Sequence, residues 1–211
     1  MAQYDRKDRL YQQAKEEGYR SRASYKLKEL DKRFKFLRPG QTVLDLGCFP
    51  GGWLQVAAES IGPSGRVLGI DLKDVEPLAA RELHLAPGKK PPSISIVKDD
   101  VADPESQQRL LDFAPGGFDA ILCDMSPNLS GIVARDSAQT AELVGIAFEF
   151  VLRALKPKGT FVAKAFPSED IESVIKKFRS KFGKFQRTQL DSSRASSNEF
   201  YIVASQPERT S

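Results

Sequence analysis

The chain has 211 residues, 40% hydrophobic and 28% charged, which suits one compact α/β domain with a small appendage. No run approaches the roughly 18 apolar residues of a membrane span, and the charged N-terminus "MAQYDRKDRLYQQAKEEGYR" lacks the apolar stretch of a signal peptide. The net charge of +4 is unevenly placed: residues 1–38 carry 12 Lys+Arg against 6 Asp+Glu, and the other 173 residues carry 20 against 22.

The basic N-terminal segment therefore reads as an arm that attracts a polyanion, with a solvated helical face as the bland alternative. Within it, "SRASYKLKELDKRF" opens with Ser21 at a plausible helix N-cap. Strand-like apolar runs follow at 42–47, 65–72, 94–100, 118–126 and 159–166, and a late pair at 185–193 and 199–205 reads as a hairpin-like ending. Residues 53–61, 105–113, 138–155 and 168–182 follow the helical period, and Pro157 and Gly159 punctuate the long helix before the fifth strand. The proline-rich stretch "LAPGKKPPSIS" reads as a surface loop. A second basic cluster, "KKFRSKFGKFQR", covers residues 176–187. Short buried strands alternating with helices predict a doubly wound, mostly parallel sheet. Ligands of such sheets bind beyond the carboxyl ends of the strands, so chemistry is sought there. The division that follows is a basic arm and helix over 1–38, a catalytic domain over 39–205 and a short tail over 206–211.

The first strand ends in "DLGCFPGGW", whose glycines let the backbone approach a ligand. The spacing is not GxGxxG, which argues against a pyrophosphate-binding dinucleotide site. The second strand ends at Asp71, an acid placed to accept from both hydroxyls of a ribose, or else a helix N-cap. The third ends in "KDDV", where Asp100 could accept from an adenine amino group. The fourth ends in "CDMSPNLSG", which puts Asp124 and Pro127 on the same rim. Asp45, Gly47, Gly51, Asp71, Asp100 and Asp124 thus gather at four successive strand ends. They describe a pocket for an adenosine with a cationic or amino-acid tail, and S-adenosylmethionine fits that description.

Lys164 interrupts the apolar run "TFVAKAF", where a buried amine is costly. The alternative is a stem buried along the strand with its amine in water. Lys26 lies in the basic helix, and Glu199 opens the last strand. Cys48 and Cys123 form no CxxC pair and have no nearby histidine, so no metal site is expected and a reduced, cytoplasmic protein is the natural reading. His84, the lone histidine, is read as structural or solvated.

Taken together, "GYRSRASYKLKELDKRF", "LDLGCFPGGW", "DMSPNLSG", "GTFVAKAF" and "DSSRASSNEFYIVA" resemble the FtsJ-like ribosomal RNA 2′-O-methyltransferases from about Gly18 to Ala204. The resemblance implies a Rossmann-like, seven-stranded methyltransferase sheet with an antiparallel last strand. It implies a Lys-Asp-Lys-Glu tetrad formed by Lys26, Asp124, Lys164 and Glu199, with Lys164 as proton acceptor or electrostatic partner. It sets S-adenosylmethionine against Asp45, Gly47, Pro50, Gly51, Gly52, Trp53, Asp71, Leu72, Asp100, Val101 and Asp124. Arg20, Arg22, Lys28, Arg33 and Arg194 would grip RNA phosphates. The implied substrate is a uridine in the peptidyl-transferase A-loop of large-subunit ribosomal RNA, probed on the assembled 50S particle. Cys48 and Phe49 depart from the small residues common in the family's loop. Alternatives are a 2′-O-methyltransferase of transfer RNA or of an mRNA cap, and a non-catalytic ribosome assembly factor with the same fold. A monomer is expected, since no long exposed apolar face stands out.

Overall fold

The structure is a computed structural model that describes residues 9–127, 130–193 and 197–208. Its elements are, in chain order, α1 (Arg9–Glu16), α2 (Ala23–Phe34), β1 (Thr42–Leu46), α3 (Gly52–Ile61), β2 (Arg66–Asp71), β3 (Ser93–Lys98), α4 (Pro104–Phe113), β4 (Phe118–Cys123), α5 (Val133–Ala154), β5 (Leu155–Ala165), α6 (Glu169–Arg179), β6 (Phe182–Thr188) and β7 (Phe200–Pro207). The strands form one seven-stranded sheet in the order β3-β2-β1-β4-β5-β7-β6. β1 pairs in parallel with β2 and β4, and β3 and β5 extend the sheet in parallel on either side. β7 runs antiparallel to both β5 and β6, so it is the one reversed strand. The strand order changes direction between β1 and β4, and a cleft opens at their carboxyl ends.

Each face of the sheet has its own core, because successive strand side chains point to opposite faces. Leu44, Leu46, Ile121 and Phe161 face α4, α5 and α6. Val43, Leu122, Val162 and Tyr201 face α2 and α3. Phe148 of α5 joins the elements on the first face: its buried ring stacks on Phe178 of α6 at 4.9 Å and meets Phe161 of β5 edge-on at 4.9 Å.

The N-terminal segment is not a free arm. Ala14 of α1 and Leu27 and Leu30 of α2 are buried in the second core, together with Phe36 and Leu37 beyond the helix. Ser21 does not cap α2. The residue before the helix is Arg22, with helical backbone angles and no side-chain cap bond. The hydroxyls of Ser21 and Ser24 turn instead toward Gly52 of α3, where Ser24 Oγ donates to the Gly52 carbonyl at 3.0 Å. A Cβ on Gly52 would stand 2.2 Å from Ser21 Oγ, so this glycine exists to let the two helices touch. Lys35 closes α2 in the left-handed region, and Asp31 accepts from the Leu37 amide at 2.8 Å.

Two other expectations shift. β5 begins directly after α5, and Pro157 and Gly159 lie in a register shift of its first half rather than ending the helix. β6 starts at Phe182, and residues 189–193 lie outside any strand. Among the described residues no helix is long and apolar enough to cross a membrane.

Phe148→Ala should remove about 3–5 kcal/mol of stability, through lost burial and the cavity left between α5, α6 and β5. Urea unfolding measures this, and a loss under 1 kcal/mol would mean that Phe148 does not join these elements.

Candidate active site

The loop after β1 is built around close backbone approaches. Gly47 has φ +78°, and a Cβ there would lie 2.7–3.0 Å from Met125, including its backbone. The Gly47 and Cys48 amides both donate to the Ile70 carbonyl, at 2.9 and 3.2 Å, which ties the loop to the end of β2. Asp71 fixes the same corner by accepting from the Phe49 amide at 2.9 Å and the Lys73 amide at 2.9 Å. Asp100 holds its own turn by accepting from the Ala102 amide at 2.8 Å. These strand ends surround a cavity of about 660 Å³. Its wall includes Gly47, Asp71, Leu72, Asp100, Val101 and Asp124 from the sequence reading. It also includes Phe49, Lys73, Met125 and Pro127, and α5 contributes Arg135, Gln139, Glu142 and Leu143.

Asp45 lies beneath this wall, fully buried in β1, and neither of its carboxylate oxygens has a hydrogen-bond partner. Burial, reinforced by the charges of Asp124 and Asp71, pushes its carboxyl well above the usual range. Three acids therefore converge on one end of the cavity with too few cations to match them. Cys48 and Cys123 are buried free thiols whose ionisation is pushed up, Cys123 to about 12, by burial. They are packing residues rather than nucleophiles.

Beside Asp124 stands a network of buried charge. Lys164 Nζ lies 2.6 Å from Asp124 Oδ1 and donates to the Asp124 carbonyl at 3.0 Å. Lys164 is paired in register with Tyr201 across the β5–β7 ladder. Lys26 of α2 forms an ion pair with Glu199 at the start of β7, and Ser193 Oγ donates to the same carboxylate at 2.6 Å. Burial pushes the Glu199 carboxyl up, but Lys26, Ser193 and the charge of Lys164 outweigh it and hold the group below its ordinary value. Tyr201 joins the two pairs: its hydroxyl lies 3.5 Å from Glu199, and the Lys26 ammonium stands 6.0 Å from its ring centroid. Lys164 is buried, so the water-exposed alternative for its amine does not hold. Tyr201 and Ser193 were not singled out from the sequence, although Tyr201 shares a strand face with Glu199 at a spacing of two.

Several residues assigned to ligands do other work. Trp53 does not line the cavity. Its buried indole packs against Tyr201 and donates to the Ala23 carbonyl at 2.8 Å, which fastens α3 to α2. Gly52 faces α2 as described, and Gly51 (φ +111°) and Pro50 face Arg20. Arg20 is not free to grip phosphate: its guanidinium donates to Glu82 at 2.9 and 3.1 Å and to the Pro77 carbonyl at 2.9 Å. Arg33 is similarly engaged, with Glu29, with Asp191 at 3.0 Å and with the Gln189 carbonyl at 2.8 Å. Arg22 donates to the Ser192 carbonyl at 2.8 Å. The Lys28 ammonium lies 4.0 Å from the Tyr19 ring centroid. Arg194 lies outside the described residues. His84 is structural as expected, bridging Glu59 and the Glu17 carbonyl at 2.7 Å each.

A family profile described as FtsJ-like methyltransferase matches residues 19–206. The chain belongs to the FtsJ-like methyltransferase family. It is 41% identical over 200 residues to a protein of Syntrophobacter fumaroxidans named ribosomal RNA large subunit methyltransferase E, covering 95% of each chain. A Marinobacter nauticus protein of the same name is 38% identical, covering 93% of this chain and 89% of its own. In fold the chain is similar to a Plasmodium falciparum protein described as a ribosomal RNA methyltransferase, with a TM-score of 0.74, 23% identity and coverage of 91% of this chain and 100% of that one. FtsJ-like enzymes, as methyltransferases, draw on S-adenosylmethionine as the general methyl donor, and the residues present fit it. The cavity has the volume of a drug-sized ligand. Its acidic end, with the unpartnered carboxylate of Asp45, suits a ligand bearing a sulfonium and an ammonium.

The native carboxyl of Asp45 titrates above its unfolded value near 4, so the native state binds the extra proton and stability falls as pH rises through that window. Asp45→Asn should therefore raise the melting temperature of the free protein at pH 8, with the gain shrinking as pH falls toward 4. Thermal melts across pH measure this, and a gain independent of pH would mean that Asp45 is not held protonated.

Proposed function

We propose that this protein methylates a ribose 2′-hydroxyl of large-subunit ribosomal RNA, with Lys26, Asp124, Lys164 and Glu199 as its catalytic residues. The observation that carries the reading is the Lys164–Asp124 pair: a buried lysine fixed on the one carboxylate that also lines the cavity. The names of the relatives support ribosomal RNA of the large subunit as the substrate class. Resemblance to the family favours a uridine of the peptidyl-transferase A-loop, presented on the 50S particle.

S-adenosylmethionine, when bound, supplies an electrophilic methyl with a neutral thioether as leaving group. Asp71 is placed to accept from ribose hydroxyls and Asp100 from the adenine amino group, while Asp45 and Asp124 balance the cationic end. The chain's remaining task is to hold the target hydroxyl in line with that methyl, and such positioning accounts for much of the rate in reactions of this kind. Two N–H groups of Lys164 are directed at Asp124, so the third is free for the oxygen on which negative charge develops. As an ammonium, Lys164 stabilises that oxygen; as a neutral amine, it takes the hydroxyl proton. Lys26 and Glu199 hold the far side of the network and set the local charge. Lys28 and Arg22 lie on the same helix region and extend this side toward RNA phosphates. Readout through the 2′-hydroxyl selects RNA over DNA.

Lys164→Ala should lower methyl transfer by about 10²–10⁴-fold while leaving S-adenosylhomocysteine affinity within about twofold. Near-normal turnover would overturn the assignment. In the wild type, a single-turnover rate rising tenfold per pH unit would identify Lys164 as proton acceptor, and a flat rate would identify it as electrostatic partner.

The substrate is tested with methyl-labelled S-adenosylmethionine and, separately, under-methylated large subunits, their naked RNA, and transfer RNA. Alkaline hydrolysis follows, because a 2′-O-methyl leaves a resistant linkage. The expected result is label in a resistant dinucleotide from the subunits. Label in transfer RNA alone would move the substrate, and label lost to alkali would remove the 2′-hydroxyl as the target.

A further inference from the structure

The cavity has a wall that the catalytic residues do not explain. Arg135, Gln139, Glu142 and Leu143 of α5 all line it. Their spacing of four, three and one places them on one face of the helix. This face looks across the cavity at Asp100 and Val101, the end where the reading above seats the adenine. Gln139 is the residue of this set with an unmet need. Its Oε1 is shut off from solvent and has no hydrogen-bond partner. A buried amide oxygen without a donor is disfavoured in a folded chain unless a ligand completes it.

We infer that Gln139 reads the adenine ring of the cofactor, its Oε1 accepting from the N6 amino group and its Nε2 donating to N7. An inward-facing glutamine offers an acceptor and a donor side by side, and adenine offers the matching donor and acceptor along its N6/N7 edge. Asp100 is an acceptor only, with Oδ1 already accepting from the Ala102 amide. It can receive a hydrogen bond from N6 but cannot donate to N7. Gln139 supplies what Asp100 lacks, and the two together distinguish adenine from a 6-oxo purine, whose O6 would face acceptors from both sides. The inference rests on the proposal that this cavity holds S-adenosylmethionine.

The test is calorimetric binding of S-adenosylhomocysteine, its 7-deaza analogue and its inosine analogue to the wild type, Gln139→Leu and Gln139→Glu. The wild type should bind the 7-deaza analogue about five- to tenfold more weakly than the parent, the loss of one hydrogen bond. Gln139→Leu should bind the parent about tenfold more weakly and lose no more on 7-deaza substitution. Gln139→Glu keeps the acceptor and loses the donor, so it should discriminate against inosine but not against the 7-deaza ring. Two results would overturn the inference: equal wild-type affinity for the parent and 7-deaza compounds, which requires no variant to fold, or a 7-deaza penalty undiminished in Gln139→Leu. Failure of the wild type to bind S-adenosylhomocysteine at all would overturn the cofactor reading itself, before Gln139 is touched.

Discussion

The site depends on the reversal of β7. Because β7 enters between β5 and β6 and runs antiparallel to both, the start of β7 lies beside the end of β5. That places Glu199 and Tyr201 next to Lys164, whereas a parallel strand at that position would have carried them to the opposite edge of the sheet. Strand alternation then decides the face. Lys164 and Tyr201 point to the α2 side, as do their neighbours Val162 and Val203, so the lysine meets helix α2 and its Lys26 rather than α5. Two lysines and two acids from four distant parts of the chain meet because of one inverted strand.

Charge burial is the second constraint, and it is met unevenly. Lys26 with Glu199, and Lys164 with Asp124, form two matched pairs in the interior. A buried pair contributes little net stability, since desolvation offsets most of the attraction, but losing one partner is strongly unfavourable. The pairs are thus better understood as fixing geometry than as holding the fold together. Asp45 has no such partner, and its two oxygens remain unpaired in the core. Stability held back in this way is common at functional sites, where a ligand and not the protein completes the interaction. The acidic end of the cavity is the complement of a cation the chain itself does not supply.

Much of this was legible in the sequence, and the reasons are physical. The parallel strands were legible because buried strands of such sheets read as continuous apolar runs bounded by glycine and acid. Asp71, Asp100 and Asp124 were legible because strand ends are the usual place for ligands in this architecture. Their convergence on one cavity bears out that reasoning. Tyr201, Ser193 and Gln139 were not legible. Each acts across a tertiary contact, and none breaks a local rule: a tyrosine in a strand, a serine in a turn and a glutamine in a helix are ordinary there. Trp53 was misassigned for the same reason. Its position beside the glycine loop suggests ligand contact, but the first turn of α3 rotates its ring toward Ala23 and Tyr201.

The cations of the N-terminal segment show how composition misleads about partners. A surplus of positive charge over 1–38 reads as a surface for polyanions, yet two of its arginines are bound within the protein. Arg20 joins the segment to Glu82 and the loop at Pro77, with Gln55 donating to the Gly18 and Glu82 carbonyls beneath it. Arg33 joins α2 to the turn that precedes β7, through Asp191 and the Gln189 carbonyl. That turn carries Ser193, which holds Glu199, and the Arg22 side chain also reaches it at Ser192. The arginines of α2 therefore position the segment that positions Glu199, and Lys26 from the same helix completes the pair. Helix α2 serves the site as a clamp from the side opposite the cofactor cavity. Its basic character is in large part the means by which it is held there.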